Sequence, residues 1–214
     1  MSRGLAVAVA LSLMLAGAPA LAQSNIPDSR LPWWIAEYKQ KAEAGDADAM
    51  FHYGKAHFDG LGIAANHEEG VRWLLRSADL GDRNAMFYMG VAHLEGRGVA
   101  RDPQKAFMWH YKAAVAGEPT AMLNTAIVLL KGGPVEASPV NGAMWLIKAA
   151  EAGEPTALVL AAHLTLDDTG SYFPGGPRKA LDWALKAKAA KADGAAAAIG
   201  EICDKGYKPA CAHR

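Results

Sequence analysis

The sequence repeats with a period of 36 residues over most of its length. Glycines recur at this interval at Gly45, Gly81, Gly117 and Gly153, and alanines recur at Ala49, Ala85, Ala121 and Ala157. Tryptophans follow the same interval at Trp73, Trp109 and Trp145, and Trp183 comes 38 residues later because two residues are inserted. Repeats of this length are typical of solenoids, in which each unit buries its apolar face against its neighbours. The period therefore predicts a stack of two-helix units.

Glycines, acidic residues and prolines mark where the helices of each unit begin and end. The first helices follow the pairs Gly45-Asp46, Gly81-Asp82, Gly117-Glu118 and Gly153-Glu154. Glycine adopts the left-handed conformation that ends a helix, and an acidic residue suits the positive end of the next helix. The predicted caps of the second helices are Asn66, Asp102, Ser138 and Gly176. Asn66 and Glu69 also have the spacing of a capping box.

The second unit fills a known repeat pattern directly. The matching residues are Gly90, Gly96, Gly98, Val99, Asp102, Lys105, Ala106, Trp109, Ala113, Ala114 and Gly117. On these residues the chain resembles the Sel-one-like repeat (SLR) family, a relative of the tetratricopeptide repeat, in its exported bacterial type. Other units depart from the pattern at Ile63, Asn66, Glu69, Gly70, Pro134 and Asp168. The resemblance implies an all-α fold, a right-handed α/α superhelix of about four hairpins with terminal capping helices. It also implies an interaction scaffold, without naming a partner.

The first 22 residues have the layout of a cleaved secretory signal. Arg3 precedes a mostly apolar run from Leu5 to Ala18, and Ala20-Leu21-Ala22 ends the segment with small residues. The alternative is an uncleaved membrane anchor, for which this run is short and rich in alanine. We expect a mature protein that begins at Gln23, is not inserted in the membrane, and is periplasmic or secreted. Residues 23–30 are then a polar leader, 31–45 an N-terminal capping helix, 46–193 four repeats, and 194–214 a C-terminal helix and tail.

Charge balance argues against two classes of partner. The chain carries 22 basic and 22 acidic residues, and removal of the signal segment takes away only Arg3. Proteins that bind nucleic acids or anionic membranes carry a basic surface, because phosphates supply much of the binding energy. Neither partner is therefore predicted, and the sequence does not predict the oligomeric state.

Both ends of the repeat array carry distinctive residues. Trp33 and Trp34 are predicted to fold back over the first hairpin, although a pair that stacks on a ligand is the alternative. Near the other end, the register predicts a fifth first-type helix from Ala195 to Asp204. Cys203 and Cys211 are the only cysteines, and in an oxidising compartment they are expected to form a disulfide. A redox-active pair is the alternative, but the C-x-x-C spacing is absent.

The sequence offers little that resembles a catalytic or metal site. His57 and His93 occupy one matched position that faces the hairpin core in the tetratricopeptide pattern, so they are predicted to be core imidazoles with hydrogen-bond partners. No catalytic motif, metal site or cofactor site is predicted, and we expect a non-enzymatic protein. Some cysteine-rich exported SLR proteins bind or weakly hydrolyse penicillin-type lactams. That activity is the alternative function, although this chain lacks their cysteine pair in every repeat.

The remaining candidate site is a concave groove lined by the first helices. Alignment with the tetratricopeptide pattern assigns twelve residues to it: Phe51, Lys55, Phe58, Phe87, Val91, Leu94, Leu123, Ile127, Leu130, Val159, His163 and Leu166. Such an apolar strip suits a peptide or an amphipathic helix of a partner protein. The alternative is tight curvature, in which these side chains pack against neighbouring units. The loop from Asp167 to Gly176, with Tyr172 and Phe173, either carries function or covers the edge of the solenoid. The hypothesis is a protein-binding scaffold of the cell envelope with a regulatory or assembly role.

Overall fold

The structure, a computed structural model, describes residues 31–167, 172–173 and 175–213, so the predicted signal segment and polar leader lie outside the described residues. Within these ranges every regular element is a helix. The helices are α1 (Trp33–Glu43), α2 (Ala47–Asp59), α3 (His67–Asp79), α4 (Arg83–Glu95), α5 (Pro103–Val115), α6 (Pro119–Lys131), α7 (Pro139–Glu151), α8 (Pro155–Asp167), α9 (Gly176–Ala189), α10 (Ala195–Asp204) and α11 (Lys208–Cys211). None of them is long and apolar enough to span a bilayer.

Consecutive helices pair as hairpins and stack along one direction. Units 1 to 4 consist of α2 with α3, α4 with α5, α6 with α7, and α8 with α9, and each unit also contacts the next. Helix α1 packs on α2, while α10 packs on both α8 and α9. The predicted all-α solenoid is thereby confirmed. Its core consists of three clusters of small and apolar side chains that follow one another along the array, because each unit buries a face that it could not cover alone.

Acidic caps begin the first helices as predicted. The side chains of Asp46 and Asp82 accept hydrogen bonds from the backbone N–H of Ala49 and Ala85, at 2.9 and 2.7 Å. Glu118 and Glu154 do the same for the N–H groups three residues further on. Each cap satisfies one donor that the first helical turn leaves without an intrahelical partner.

The caps of the second helices follow the prediction only in part. Asn66 and Asp102 accept from the N–H three residues on, and this hydrogen bond from Lys105 holds the pKa of Asp102 below its ordinary value. Ser138 stands at the cap position of α7 without a side-chain hydrogen bond to the backbone. Gly176 is already the first residue of α9, and Gly175 is its cap. The prediction of Gly176 as the cap was therefore wrong by one residue.

The predicted capping box is half formed. Asn66 caps α3, but the carboxylate of Glu69 does not return to the backbone of Asn66. Instead it accepts a hydrogen bond of 2.6 Å from the indole Nε1 of Trp73 and pairs with Arg72. The N–H of Asn66 donates to the carbonyl of His57 in the preceding helix, so it needs no second acceptor. The hydrogen bond from Asn66 to α2 therefore replaces the one that Glu69 would accept in a complete capping box.

Of the two tryptophans at the start of α1, only Trp34 packs on the first hairpin. Trp34 packs into the first core cluster, and its ring lies beside Gly62 in the turn after α2. Trp33, by contrast, is 78% exposed. The prediction that both rings fold back is confirmed for Trp34 and wrong for Trp33, because the two side chains leave the first turn of α1 in different directions.

The C-terminal end is tied to the array by a disulfide. Cys203 of α10 is bonded to Cys211 at the end of α11, with 5.0 Å between their Cα atoms. Ala210 of α11 is fully buried in the main core cluster. Lys188 of α9 also donates to the carbonyl of His213, at 2.9 Å. The tail therefore closes over α10, where a second-type helix would otherwise pack.

Reduction of this disulfide is expected to loosen the tail without unfolding the repeats. Closing so short a loop stabilises the folded tail by roughly 2 kcal/mol, mainly by restricting its unfolded states. Amide exchange should therefore speed up by about thirtyfold in α11 and remain unchanged in α4 to α7. Hydrogen exchange followed by mass spectrometry, with and without a phosphine reductant, measures the change. Equal acceleration in the central units would contradict this local role.

Candidate functional site

The twelve residues assigned to the concave groove range from buried to exposed, and most of them are half-buried. Phe51, Phe58 and Leu123 are buried, and Leu94 is 46% exposed. The others are half-buried: Lys55, Phe87, Val91, Ile127, Leu130, Val159, His163 and Leu166. The rings of Phe51 and Phe58 lie against Tyr88 of the next unit, with centroids 5.7 and 5.8 Å away. We call these twelve residues the first-helix face; its role in binding stays a prediction.

Exposure on the first-helix face depends on the neighbouring unit. Phe58 and Leu94 occupy one matched position, yet Phe58 is fully buried and Leu94 is not. The guanidinium of Arg97, in the turn of unit 2, lies 4.1 Å from the Phe58 ring centroid and donates to the Phe58 carbonyl at 2.6 Å. The residue that matches Arg97 in unit 3 is Gly133, which has no side chain with which to cover Leu94.

Polar side chains of the first-helix face are engaged within the array. The Lys55 amine lies 2.6 Å from Asp59 and 5.1 Å from the centroid of the Tyr88 ring. Burial lowers the pKa of Lys55, but hydrogen bonds with Asp59 and Tyr88 outweigh burial and keep it above its ordinary value. His163 Nδ1 lies 3.3 Å from Glu201 of α10, so this pair links two first-type helices. The contacts of Lys55 with Tyr88 and of His163 with Glu201 therefore join neighbouring parts of the array.

Several exposed apolar side chains lie on the second helices of units 2 and 3 and in the loop before α9. We call them the second-helix patch: Met108, Tyr111 and Val115 of α5, Val140 and Met144 of α7, and Tyr172. Val115 and Val140 are each 64% exposed and Met108 is 54% exposed. The Tyr111 ring lies 5.7 Å from that of Trp145, edge to face, and so joins the two helices. Sequence analysis did not single out this patch, because it assigned binding to the first helices.

An open cavity of about 550 Å³ lies within the second-helix patch. Its walls are formed by Val140, Ala143, Met144, Ile147, Lys148, Glu151 and Tyr172. Phe173, next to Tyr172, is buried in the main core cluster. Phe173 thus covers the core, as one of the two interpretations of this loop predicted, and Tyr172 lines the cavity; a functional role of the loop stays a prediction. Asp168 and residues 169–171 of this loop lie outside the described residues.

The basic side chain three residues after each repeated tryptophan lies over the indole ring of that tryptophan. The charged groups lie 4.2 to 5.0 Å from the indole centroids, at Arg76 over Trp73, Lys112 over Trp109, Lys148 over Trp145 and Lys186 over Trp183. We call this set the Trp–cation row. A cation over an indole face contributes about 0.5–1 kcal/mol at exposed sites. The signal was present in the sequence, because a basic residue follows each of these tryptophans in the same register.

Two histidines have buried ring nitrogens. Both ring nitrogens of His57 and of His110 are buried without a hydrogen-bond partner among the described residues. The prediction that His57 is a satisfied core imidazole was therefore wrong on the hydrogen bonds, and burial lowers its pKa. His93, at the matched position, has Nδ1 3.4 Å from the carbonyl of Ala100. In the part of the chain that the structure describes, no group of histidine, cysteine or acidic side chains is arranged to hold a metal ion.

Comparisons of the sequence and of the structure with known proteins point to the same family. The sequence model of the Sel1 repeat matches residues 47–82, 83–117, 119–154 and 168–191, which together are more than half of the chain. A crystal structure of a Sel1 repeat protein from Oxalobacter formigenes is 26% identical, with a TM-score of 0.71, over 78% of this chain and 68% of that one. No curated protein matches.

A second solved structure displays the same fold in a longer protein. It is a protective antigen present in uropathogenic Escherichia coli strains, described as having an SLR fold, with 26% identity and a TM-score of 0.72 over 80% of this chain. This chain spans only 36% of that protein's length. Sel1 repeat proteins are generally scaffolds for interactions between proteins. With four matched repeats and the hairpin stack that they form, this chain belongs to the Sel1 repeat family.

Proposed function

We propose that this chain is a non-enzymatic scaffold of the cell envelope, periplasmic or secreted, and that it binds a segment of another protein. The second-helix patch carries this proposal, because it leaves apolar side chains exposed on two adjoining units. Large contiguous apolar patches on soluble proteins mark sites of interaction. The layout of residues 1–22 supports the location, since it is that of a secretory signal. A regulatory or assembly role in the envelope suits a protein of this kind.

Either helix face could make the contact, and one substitution on each face separates them. Met144 on α7 and Leu94 on α4 are 42% and 46% exposed, so an aspartate at either position leaves the core intact. Phe87 and Ile127 of the first-helix face are less suitable, because both pack against the main core cluster. Leu94→Asp therefore tests the first-helix face, and Met144→Asp tests the second-helix patch.

We expect the purified protein to capture one envelope protein that Met144→Asp fails to capture and Leu94→Asp retains. The loss should be at least about tenfold, because a charge placed in an apolar contact costs more than 1.4 kcal/mol. Affinity capture from the envelope fraction of the producing cells, followed by mass spectrometry, measures it. The same fraction should contain the chain beginning at Gln23. Loss with Leu94→Asp alone would move the contact to the first-helix face, and capture of no protein would contradict the scaffold role.

A further inference from the structure

The second-helix patch lies beside the cations of the Trp–cation row. Lys112 shares α5 with Met108 and Val115, and Lys148 shares α7 with Val140 and Met144. Their amines lie 4.2 and 4.6 Å from the centroids of the Trp109 and Trp145 rings. An exposed apolar surface with a fixed cation on each of its two helices is thereby formed across units 2 and 3.

These two cations have no acidic partner among the described residues. The ion pairs of described lysines involve Lys39, Lys41, Lys55, Lys105 and Lys205, whereas Lys112 and Lys148 lie over their indoles instead. Among the described residues that line the cavity, Glu151 is the one acidic side chain, and it lies on the same helix as Lys148. Lys112 and Lys148 are both exposed, so each amine can pair with a carboxylate from outside.

We propose that the second-helix patch binds an amphipathic helix of another protein, with apolar side chains in the cavity and carboxylates along one flank that pair with Lys112 and Lys148. This inference rests on the proposed scaffold function and names the surface and the chemistry of its partner. Charge complementarity of this kind selects partners and sets register more than it adds affinity.

A helix fits this surface better than an extended strand. Every regular element in the described ranges is a helix, so the second-helix patch offers no strand edge with free N–H and C=O groups. A partner strand would leave its own backbone groups without partners on an apolar surface, which is costly. A helix satisfies its backbone internally and presents apolar side chains at i, i+3, i+4 and i+7. The cavity between Val140 and Tyr172 then receives one apolar anchor.

Two synthetic helical peptides of about 20 residues, roughly 30 Å long, are the probes. They share one leucine stripe and differ only along one flank, which carries glutamates in the first peptide and lysines in the second. Fluorescence anisotropy titration of the purified protein should give an affinity about tenfold higher for the glutamate peptide, because two exposed ion pairs replace two like-charge contacts. The preference should vanish at about 1 M salt, where charges are screened beyond about 3 Å.

A variant in which both lysines beside the second-helix patch carry the opposite charge gives the decisive test. The double substitution Lys112→Glu and Lys148→Glu should invert the preference, so that the lysine peptide binds more tightly. Met144→Asp should weaken both peptides about tenfold or more. Lys131→Glu is the matched control, since Lys131 is exposed at the end of α6 and outside the second-helix patch, and it should change neither affinity. Equal affinities for the two peptides, or a preference that survives the double reversal, would overturn the proposal.

If something other than an acidic amphipathic helix covers the second-helix patch, these experiments give different results. If a second copy of this chain covers the second-helix patch, the wild-type protein sediments as a dimer and Met144→Asp as a monomer, which would overturn the proposal. A captured envelope protein whose binding ignores the double reversal at Lys112 and Lys148 would also overturn it, while leaving the scaffold function intact. If no envelope protein is captured, the scaffold function fails, and the two peptides still decide what this surface binds.

Discussion

Replacing Gly98 with alanine is expected to lower the free energy of unfolding by about 4 kcal/mol, which is at the upper end for a single substitution. Gly98 lies in the turn of unit 2 with φ of +71°, a left-handed conformation that costs a residue with a Cβ about 1–2 kcal/mol. The added Cβ would also lie 2.3 Å from the carbonyl oxygen of His67 and 2.5 Å from its carbonyl carbon. Both atoms belong to the backbone of α3, so the clash cannot be relieved by rotating a side chain.

The matched control for this substitution is Gly81→Ala. Gly81 also has a positive φ, of +96°, but no atom lies within 4 Å of the position that its Cβ would occupy. The control should therefore cost only the conformational part, about 1–2 kcal/mol. Urea titration followed by circular dichroism measures both variants. Equal losses for Gly98→Ala and Gly81→Ala would show that the added Cβ at position 98 does not clash with the backbone of His67.

The role of Gly98 differs from the one that sequence analysis gave to the G-x-G turn. The pattern indicated only the end of a helix, whereas in the structure the turn of unit 2 packs on the N-terminal end of the second helix of unit 1. Gly62 holds the matched position in unit 1, and there the ring of Trp34 in α1 comes within 3.1 Å of the Cβ position. The N-terminal cap therefore occupies the space that a preceding unit fills further along the array.

The helices could be predicted because their signals are local. Asp46, Asp82 and Asp102 cap the helices that follow them, and each cap depends on a side chain reaching a backbone N–H only three residues away. The helix from Ala195 to Asp204 could likewise be placed by continuing the period. Signals between residues so close in the chain can be recognised in a single sequence. Together with the period, they define the hairpins and the order in which they stack.

Exposure could not be predicted, because it depends on residues of the next unit. Phe58 and Leu94 are equivalent in the repeat, but Tyr88 and Arg97 of the next unit cover Phe58. Asn124 and Gly133 hold the matched positions in unit 3, and Leu94 stays exposed. The second-helix patch has the same origin, since Met108 and Met144 occupy a helix face that the neighbouring units leave uncovered. A family pattern assigns average faces and does not show which of them stays open in a particular chain.

His110 is another residue that departs from its equivalents in the repeat. Leu74 and Leu146 hold the matched positions in units 1 and 3, and both are fully buried. His110 is only 5% exposed. Its imidazole lies 5.3 Å from the Phe87 ring, centroid to centroid, and occupies the space that a Cβ on Gly90 would need. Neither ring nitrogen has a hydrogen-bond partner among the described residues. Burial lowers the pKa of His110 from 6.5 to about 4, with no contribution from a charged neighbour.

Unit 2 is therefore expected to lose stability in mild acid, and His110→Leu is expected to prevent that loss. In the unfolded chain the imidazole takes up a proton as the pH falls through about 6.5, whereas in the folded chain it stays neutral until about 4. The unfolded state thus binds more protons between these values, so stability is complete above pH 6.5 and falls towards pH 4 by about 3 kcal/mol.

His110→Leu removes the titrating group and supplies the side chain that units 1 and 3 use at this position. Urea unfolding at pH 7 and at pH 4 should show a loss of stability about 3 kcal/mol smaller in this variant than in the wild type. Carboxylates that also titrate in this range affect both proteins equally and cancel in the comparison. The control is His213→Leu, at an exposed position in the tail, which should keep the full wild-type loss. A wild-type pH dependence in His110→Leu would show that the buried imidazole is not the group that destabilises unit 2 in acid.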